Sequence, residues 1–384
     1  MRVGWPIEDL YDDLELTPSP DRLRPGGDGG WTDRVKWETL SPPVFGKEST
    51  SRGDLRRVIF LFPGETAGVR SPSVYLRLSV TDACDFRCWY CRPKTEGGSA
   101  PATGGHLESD DLLALVDAIN TATPLAKVRI TGGEPLLRPD ILAIVSGIRK
   151  LRPDVTLSIT TNGHHLGEHA ASLHKAGLDR INISFDSLDS AIFRRITGVD
   201  GLERVRYGVK AAQRAGFERM KLNAVLLRSG AGAELGKLVG FAAREGLEIR
   251  FIELMPSGLE AKRYREEFMP SSEALRALRT EGGYRGQLPS SGTALRYLFE
   301  WEGREVAVGF IPTVSEPFCD TCDRLRLDAR GLLRGCLRRD EATDLGVHLP
   351  RGRDAVAAVV REVIDEKRGP ENGWNTTPMI QIGG

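Results

Sequence analysis

The residues best suited to chemistry in this sequence are its six cysteines, which fall into two triplets. The first, "CDFRCWYC", separates Cys84, Cys88 and Cys91 by three and two residues. The second separates Cys319, Cys322 and Cys336 by two and thirteen residues. Clustered thiols in a reducing compartment favour metal binding over disulfides. The sequence therefore predicts two metal centres.

Two kinds of centre are compatible with three cysteines. A closed zinc site needs four protein ligands, and His106 or His348 could complete a Cys3His set. Iron–sulfur clusters are also held by cysteine thiolates. A cube of four irons bound by three cysteines leaves one iron open to an external molecule. The spacing favours such clusters, and zinc remains the alternative.

Composition narrows the class of protein. The 384 residues are 40% hydrophobic and 28% charged, which is typical of a soluble globular chain. The longest apolar runs, such as "VIFLF" at 58–62, are far shorter than the roughly 20 residues that span a membrane. The first twenty residues do not resemble a secretory signal or a transit peptide, so we expect a cytoplasmic protein. Lysine plus arginine balance aspartate plus glutamate at 53 each, which argues against bulk nucleic-acid binding.

Strand-like and helix-like segments alternate between the two triplets. Apolar residues occupy every second position of "VYLRLSV" at 74–80, which is the period of a strand. Similar runs stand at 127–131, 155–160, 180–185, 220–227 and 248–254. Strands that alternate with helical segments predict an α/β fold with a parallel sheet.

These strands carry polar side chains opposite their apolar neighbours. The residues concerned are Arg77, Arg129, Thr160, Ser184, Lys221 and Asn223. A sheet curled into a full or partial barrel would direct them into a lumen that holds an anionic ligand. Solvation at a strand edge, or pairing of the arginines with acids, is the alternative.

Residues at the strand ends predict a binding site at one mouth of the barrel, where barrel enzymes work. In "ITGGEP", Gly132 and Gly133 allow close approach of the backbone, and Glu134 can accept a hydrogen bond from an ammonium group. Ser184 and Met255 end two further strands on the side of the first triplet.

Together these motifs resemble the radical S-adenosylmethionine (SAM) enzymes and, more narrowly, the MoaA family of GTP 3',8-cyclases. The resemblance runs from about residue 73 to the C-terminus. It is carried by "LRLSVTDACDFRCWYC", "RITGGEPLLRPD", "TTNG", "NISFDSLD", "FIELMPSG", "FCDTCDRLRLDARGLLRGCL" and "PMIQIGG".

The resemblance implies a radical SAM partial (β/α)6-type barrel with a C-terminal extension that carries a second iron–sulfur cluster. Residues 73–260 would form the barrel, and 261–384 the auxiliary-cluster region, which ends in a Gly383–Gly384 tail that reaches the active site. Residues 1–72 would be an additional N-terminal extension of unreadable role.

The resemblance also implies cofactors and residue roles. The two triplets would each hold a [4Fe-4S] cluster. SAM would bind the first cluster near Tyr90, Gly132, Gly133, Glu134, Ser184 and Met255. GTP would contact Arg77, Arg129, Thr160, Lys221, Arg324, Leu325 and Arg326, of which Arg77, Arg324 and Arg326 would act in catalysis.

The implied reaction converts GTP to 3',8-cyclo-7,8-dihydro-GTP, the first step of molybdopterin biosynthesis. The implied partners are a flavodoxin- or ferredoxin-type electron donor and a downstream cyclic pyranopterin monophosphate synthase. A homodimer is left open, and no nucleic-acid or membrane partner is expected.

Two positions depart from the family pattern, because Asp323 replaces a usual asparagine and Arg92 a usual methionine. An additional carboxylate beside Arg324 would either weaken nucleotide binding or pair with that arginine. The alternatives are a related radical SAM enzyme that acts on another nucleotide, a peptide or a natural-product precursor, and a zinc-stabilised binding module.

Overall fold

The structure is a computed structural model that describes residues 73–92, 105–367, 374 and 379–382. The predicted extension of residues 1–72 and the Gly383–Gly384 tail lie outside the described residues.

The central part of the chain alternates between parallel strands and helices. The strands are β1 (Val74–Ser79), β2 (Leu125–Thr131), β3 (Thr156–Thr161), β4 (Arg180–Ser184), β5 (Met220–Leu226) and β6 (Glu248–Glu253). The helices are α1 (Ser109–Ala122), α2 (Ile141–Leu151), α3 (Leu166–Lys175), α4 (Ser190–Thr197), α5 (Leu202–Arg214) and α6 (Leu235–Glu245). All the strands predicted from alternation are present, with small shifts at their ends.

The remaining elements follow β6. They are α7 (Ala261–Glu267), α8 (Ser271–Glu281), β7 (Tyr284–Ser291), β8 (Ala294–Trp301), β9 (Arg304–Ile311), β10 (Arg324–Leu327), β11 (Leu332–Arg334), β12 (Thr343–Asp344), α9 (Arg353–Asp365) and α10 (Met379–Ile382).

All these strands form one open sheet in the order β12-β11-β10-β1-β2-β3-β4-β5-β6-β9-β8-β7. The strands from β10 to β9 in this order run parallel, and antiparallel strands extend both ends. This arrangement confirms the predicted α/β partial barrel with a C-terminal extension. Strands from before and after residue 260 belong to the same sheet. The division into a barrel of residues 73–260 and an auxiliary-cluster region of residues 261–384 therefore stays a prediction.

One face of the sheet packs against the helices. In β5 every second residue is buried, namely Met220, Leu222, Ala224 and Leu226. Burial of a leucine or isoleucine side chain contributes roughly 1.5–3 kcal/mol to the free energy of unfolding. The alternation in the sequence therefore determines which face turns towards the helices, and the other face becomes the lumen.

None of the helices in the described part of the chain is long and apolar enough to cross a membrane.

Candidate active site

The first cysteine triplet lies in the loop that follows β1. Backbone N–H groups of Cys91 and Arg92 donate to the Cys88 carbonyl at 3.0 and 2.8 Å. Arg87 and Trp89 donate to the last carbonyls of α4. The N-terminus of α4 is capped, because the Asp189 side chain accepts hydrogen bonds from N–H groups of its first turn. The helix end thus supports the loop that carries the thiols.

The sulfurs of the first triplet are not gathered as closely as a single zinc ion would require. Zn–S bonds of about 2.3 Å would bring three sulfurs within about 4 Å of one another. The sulfurs of Cys84, Cys88 and Cys91 do not all lie within 4.8 Å of one another. Burial raises the pKa of Cys84 and of Cys91 to about 12, so these thiols ionise only when a metal binds them.

The second triplet shares two features with the first, namely sulfurs that are not all close together and a thiol with a raised pKa. Cys319 and Cys322 flank a short helical turn in which the Cys322 N–H donates to the Cys319 carbonyl at 3.1 Å, and Cys336 follows β11. These sulfurs also do not all lie within 4.8 Å of one another. Burial raises the pKa of the Cys319 thiol.

The predicted histidine ligands do not complete a zinc site in the described residues. Nε2 of His106 lies 2.9 Å from Oδ1 of Asp82. His348 lies in the short helical segment before α9. Neither histidine belongs to a metal-ligating group with the cysteines among the described residues.

The glycines of "ITGGEP" bring the end of β2 against the loop of the first triplet. The N–H groups of Gly133 and Glu134 donate to the carbonyls of Thr81 and Ala83, each at 2.7 Å. A Cβ atom on Gly133 would lie 2.2 Å from the Ala83 carbonyl oxygen, and one on Gly132 would lie 2.5 Å from that of Thr81. Only glycine permits this approach of two backbones.

Glu134 is fully buried and joins the ends of β2 and β3. Its carboxylate accepts from the Leu136 N–H at 3.0 Å, the Thr161 hydroxyl at 2.7 Å and the Asn162 N–H at 2.6 Å. Burial raises its pKa to about 7. In this structure the carboxylate binds donors of its own chain, and its predicted contact with an ammonium group stays a prediction.

Tyr90 anchors the loop of the first triplet to the sheet. Its hydroxyl donates to Oδ2 of Asp186 at 2.5 Å, and Oδ1 of Asp186 accepts from the Val225 N–H at 2.9 Å. Asp186 is 5% exposed, and burial raises its pKa and that of Tyr90. Sequence reasoning did not select Asp186, although it stands in the "SFDSLD" motif.

Ser184 and Met255 stand where they were predicted, at the C-terminal ends of parallel strands. Ser184 is the last residue of β4, and Met255 follows shortly after β6. Both side chains are half-buried. Their position at the edge that carries the first triplet supports the predicted SAM site without showing a contact.

Three arginines form a row across the lumen face. Arg77 of β1 is in register with Arg129 of β2 on one side and with Arg326 of β10 on the other. Arg326 is only 6% exposed. Burial lowers the pKa of Arg129 to about 10 and that of Arg326 below its usual range. Buried guanidinium groups so close together favour an anionic ligand.

The neighbouring Arg324 begins β10 and is held by the C-terminal region. Its Nη2 donates to the Thr293 hydroxyl at 2.8 Å, and its guanidinium lies 4.9 Å from the centre of the Phe318 ring. Leu325, between the two arginines, is fully buried and faces the opposite side of the strand. Its predicted contact with GTP stays a prediction.

Thr160 and Lys221, both predicted to contact GTP, belong to a second row of polar residues that runs across neighbouring strands. Strand register aligns Thr160 with Asn182, Asn182 with Lys221, and Lys221 with Glu248. The Thr160 hydroxyl is buried and has no hydrogen-bond partner among the described residues. Strand register therefore places these polar residues side by side across the sheet, and their binding of an anion stays a prediction.

Glu248 is the carboxylate that contacts the basic side chains at this end of the lumen. It accepts from Nε of Arg250 at 2.6 Å, and its other oxygen lies 3.2 Å from Nζ of Lys221 and 3.3 Å from Nη2 of Arg296. Burial lowers the pKa of Lys221 to about 7. Alternation in "EIRFIEL" could have found Glu248 and Arg250. No sequence signal places Arg296 here, since it belongs to antiparallel β8.

Sequence reasoning also missed the lumen residues Tyr75 and Lys127. Tyr75 shares its face of β1 with Arg77, and Nζ of Lys127 lies 5.1 Å from the centre of its ring. Burial alone would raise the pKa of Tyr75, but the surrounding cations, with Arg129 foremost, lower it. The tyrosine therefore adds to the set of groups that an anion could contact.

Asp323 is placed beside a lysine of the C-terminal region. The Asp323 carbonyl accepts from the Tyr75 N–H at 3.0 Å, and its carboxylate acts electrostatically on Lys367. Nζ of Lys367 donates to the Arg324 carbonyl at 2.7 Å. The effect of Asp323 on nucleotide binding stays a prediction.

The chain matches two family models that together cover this architecture. Residues 78–241 match the Radical SAM superfamily, and residues 247–372 match Molybdenum Cofactor Synthesis C. Among solved structures, Streptococcus suis SuiB bound to S-adenosylmethionine aligns with a TM-score of 0.51 at 14% identity, over 76% of this chain and 68% of that one. That likeness concerns the fold alone.

Curated relatives define the family more closely. The chain is 38% identical to the GTP 3',8-cyclase of Microcystis aeruginosa over 327 residues, which are 81% of this chain and 98% of that protein. It is 40% identical to GTP 3',8-cyclase 1 of Pseudomonas aeruginosa over 277 residues, which are 72% of this chain and 83% of that protein. The chain therefore belongs to the radical SAM superfamily and, within it, to the GTP 3',8-cyclase family.

Proposed function

We propose that this protein is a GTP 3',8-cyclase, a radical SAM lyase that forms 3',8-cyclo-7,8-dihydro-GTP in the first step of molybdopterin biosynthesis. The observation that carries the proposal is the buried row of Arg326, Arg77 and Arg129, which lines the lumen of a chain that belongs to this family.

The two triplets would hold the cofactors. Cys84, Cys88 and Cys91 fit a [4Fe-4S] cluster with SAM on its open iron, and we assign a second [4Fe-4S] cluster to Cys319, Cys322 and Cys336. The sulfurs of each triplet do not all lie within 4.8 Å of one another, which argues against a single zinc ion, and the cysteine spacing and the family support the clusters. With its cofactors bound, the enzyme has a 5'-deoxyadenosyl radical available as a hydrogen-abstracting agent.

The chain's own residues would bind and orient GTP. Arginine forks match phosphate oxygens in pairs, and a lysine supplies a point charge. Arg77, Arg129 and Lys221 would hold the triphosphate, with Lys127 and Arg250 beside them. Arg324 and Arg326 would position the nucleoside near the second triplet, because β10 places them directly after Cys322.

In the proposed reaction, GTP would lose its 3' hydrogen atom to the 5'-deoxyadenosyl radical, which yields 5'-deoxyadenosine. C3' would then form a bond to C8 of guanine as the C8–N7 double bond opens, and one electron from the electron donor and one proton would complete the product. The lumen residues would fix C3' and C8 at reacting distance, which lowers the entropic part of the barrier.

We also propose the partners and the setting that the family implies. A flavodoxin- or ferredoxin-type protein would supply electrons, and a cyclic pyranopterin monophosphate synthase would consume the product. A cytoplasmic location agrees with six unpaired cysteines, since reducing compartments keep thiols reduced. A homodimer is compatible with these assignments.

The test is an anaerobic assay with reconstituted clusters, SAM, dithionite and GTP, in which mass spectrometry quantifies 5'-deoxyadenosine and cyclised nucleotide. We expect both products to form together and to depend on GTP. Formation of 5'-deoxyadenosine without a cyclised nucleotide would show that the substrate is a different molecule.

Two arginine variants and one cysteine variant test the proposed substrate site. We expect Arg324→Ala and Arg326→Ala each to reduce cyclised product by about 100-fold or more while SAM cleavage persists, because a lost charged contact costs about 3 kcal/mol. Cys88→Ser should abolish both products. The control is Arg285→Ala, whose exposed arginine pairs with Glu300 at 2.7 Å. Product yields from the Arg324 and Arg326 variants equal to the control's would refute the site.

A further inference from the structure

A group of metal-ligating side chains lies outside the cysteine triplets and has no part in the proposed reaction. Oδ2 of Asp85 lies 2.6 Å from Nδ1 of His164 and 3.2 Å from Nε2 of His165. One ligand atom from each of the three residues lies within 4.8 Å of the other two.

The three residues come from two segments that the fold brings together. Asp85 belongs to the loop of the first triplet, and the histidines form the turn between β3 and α3. Their side chains are 14–25% exposed, so they are neither solvated surface groups nor sealed in the core.

We propose that Asp85, His164 and His165 bind one divalent transition-metal ion, for which Zn²⁺ is the natural probe. Two imidazole nitrogens and one carboxylate oxygen are ligands that zinc takes in proteins, with water in the fourth position. The ion would take the place of the hydrogens between Asp85 Oδ2 and the two ring nitrogens, Nδ1 of His164 and Nε2 of His165. Each neutral imidazole would then carry its hydrogen on the ring nitrogen that does not bind the ion.

Groups around the three ligands support this role. Nδ2 of Asn162 donates to Oδ1 of Asp85 at 2.7 Å, which leaves Oδ2 directed at the histidines. Oε2 of Glu168 lies 4.0 Å from Nδ1 of His165, so the ring nitrogen that would not bind the ion lies near a carboxylate. Carboxylates and amides behind the direct ligands commonly fix metal sites in this way.

One of the three proposed ligands, His164, borders a groove. A groove of about 330 Å³ is lined by His164, Gly167, Glu168, Arg204 and Tyr207 and opens beside the cluster of ligands. The bound ion would link the loop of the first triplet to the turn after β3. Asn162 lies at this junction, since its Nδ2 is also 4.0 Å from the sulfur of Cys84.

The experiment titrates Zn²⁺ into the full chain with its clusters loaded, in competition with a chromophoric chelator, and measures iron before and after. We expect a single additional zinc ion per chain. His164→Leu and His165→Leu should each weaken its binding by about tenfold or more. The matched control is His174→Leu on α3, whose ring packs against Phe217 at 5.0 Å and which should bind zinc like the wild type.

A variant of the third ligand controls for misfolding of the histidine variants. Asp85→Asn preserves the shape of the side chain and its acceptor for Asn162 but removes the charged ligand oxygen, so zinc binding should again weaken with iron content unchanged. X-ray absorption at the zinc edge should show nitrogen and oxygen ligands without sulfur. Zinc ligated by sulfur, no zinc beyond the loaded clusters, or equal affinity in all variants would overturn the proposal.

Discussion

At the scale of one residue, Lys221 shows how burial changes the charge of a side chain in the lumen. Its ammonium group is surrounded by Glu248 and by the guanidinium groups of Arg250 and Arg296. Burial is the main reason why its pKa falls to about 7, and the two arginines add to the effect. Without nucleotide, Lys221 is therefore about half neutral near pH 7 and increasingly neutral as the pH rises further.

This shift predicts a pH dependence of GTP binding. The triphosphate favours the ammonium form, so binding takes up a proton wherever free Lys221 is neutral. Between about pH 7.5 and 9 we expect affinity for GTP to fall by up to about tenfold per pH unit. Calorimetry in buffers of different ionisation enthalpy measures the proton uptake directly.

The control replaces the titrating group with a permanent charge. Lys221→Arg should bind GTP with a flatter pH profile, because a guanidinium stays protonated throughout this range. Lys237→Arg, an exposed lysine on α6, should retain the wild-type slope. Identical slopes in all three proteins would show that Lys221 does not contact the triphosphate.

At the scale of elements, the loop of the first triplet depends on the turn after β2. Two backbone hydrogen bonds and the absence of side chains at Gly132 and Gly133 let the two segments pack directly. The thiols are thus positioned by backbone contacts as well as by the end of α4.

We therefore expect Gly133→Ala to impair the first cluster selectively. Its Cβ would overlap the Ala83 carbonyl, and that backbone must move together with Cys84. The purified variant should contain about half of the wild-type iron, because three thiols hold each of the two clusters. Iron analysis and electron paramagnetic resonance measure the loss.

Gly346→Ala is the matched control for this substitution. A Cβ there would lie 3.1 Å from a side-chain oxygen of Asp344, far along the chain from the first triplet. Full iron content in the Gly133 variant would contradict the role assigned to the backbone contact.

At the scale of the whole molecule, the C-terminal region completes the sheet on both sides of the barrel strands. β10 pairs with β1, and β9 pairs with β6. The same region brings Arg324, Arg326 and Arg296 to the lumen. The proposed substrate site therefore draws on strands from both sequence regions.

A fragment of residues 73–260 should consequently aggregate. It would expose β1 and β6 as unpaired edges, and such edges pair with other chains. Size-exclusion chromatography and light scattering should show oligomers for this fragment, whereas a fragment of residues 73–384 should elute as a defined species. A monodisperse 73–260 fragment would show that the barrel strands do not need the C-terminal region.

The sequence by itself determined the repeated β/α pattern and the division of each strand into an apolar and a polar face. Alternation at Arg77, Arg129 and Lys221 is a local property of extended chain, so it can be read without coordinates. The spacing of the cysteines, together with the family motifs, likewise indicated cluster binding before any geometry was known.

Only the tertiary structure decided which distant groups share a site. Arg326 stands beside Arg77 because β10 pairs parallel with β1, and Arg296 reaches Glu248 through antiparallel β8. Asp85, which follows β1, meets His164 and His165, which follow β3, although β2 lies between these two strands. Strand order and register arise from the packing of the whole chain, and the local pattern of residues therefore cannot specify them.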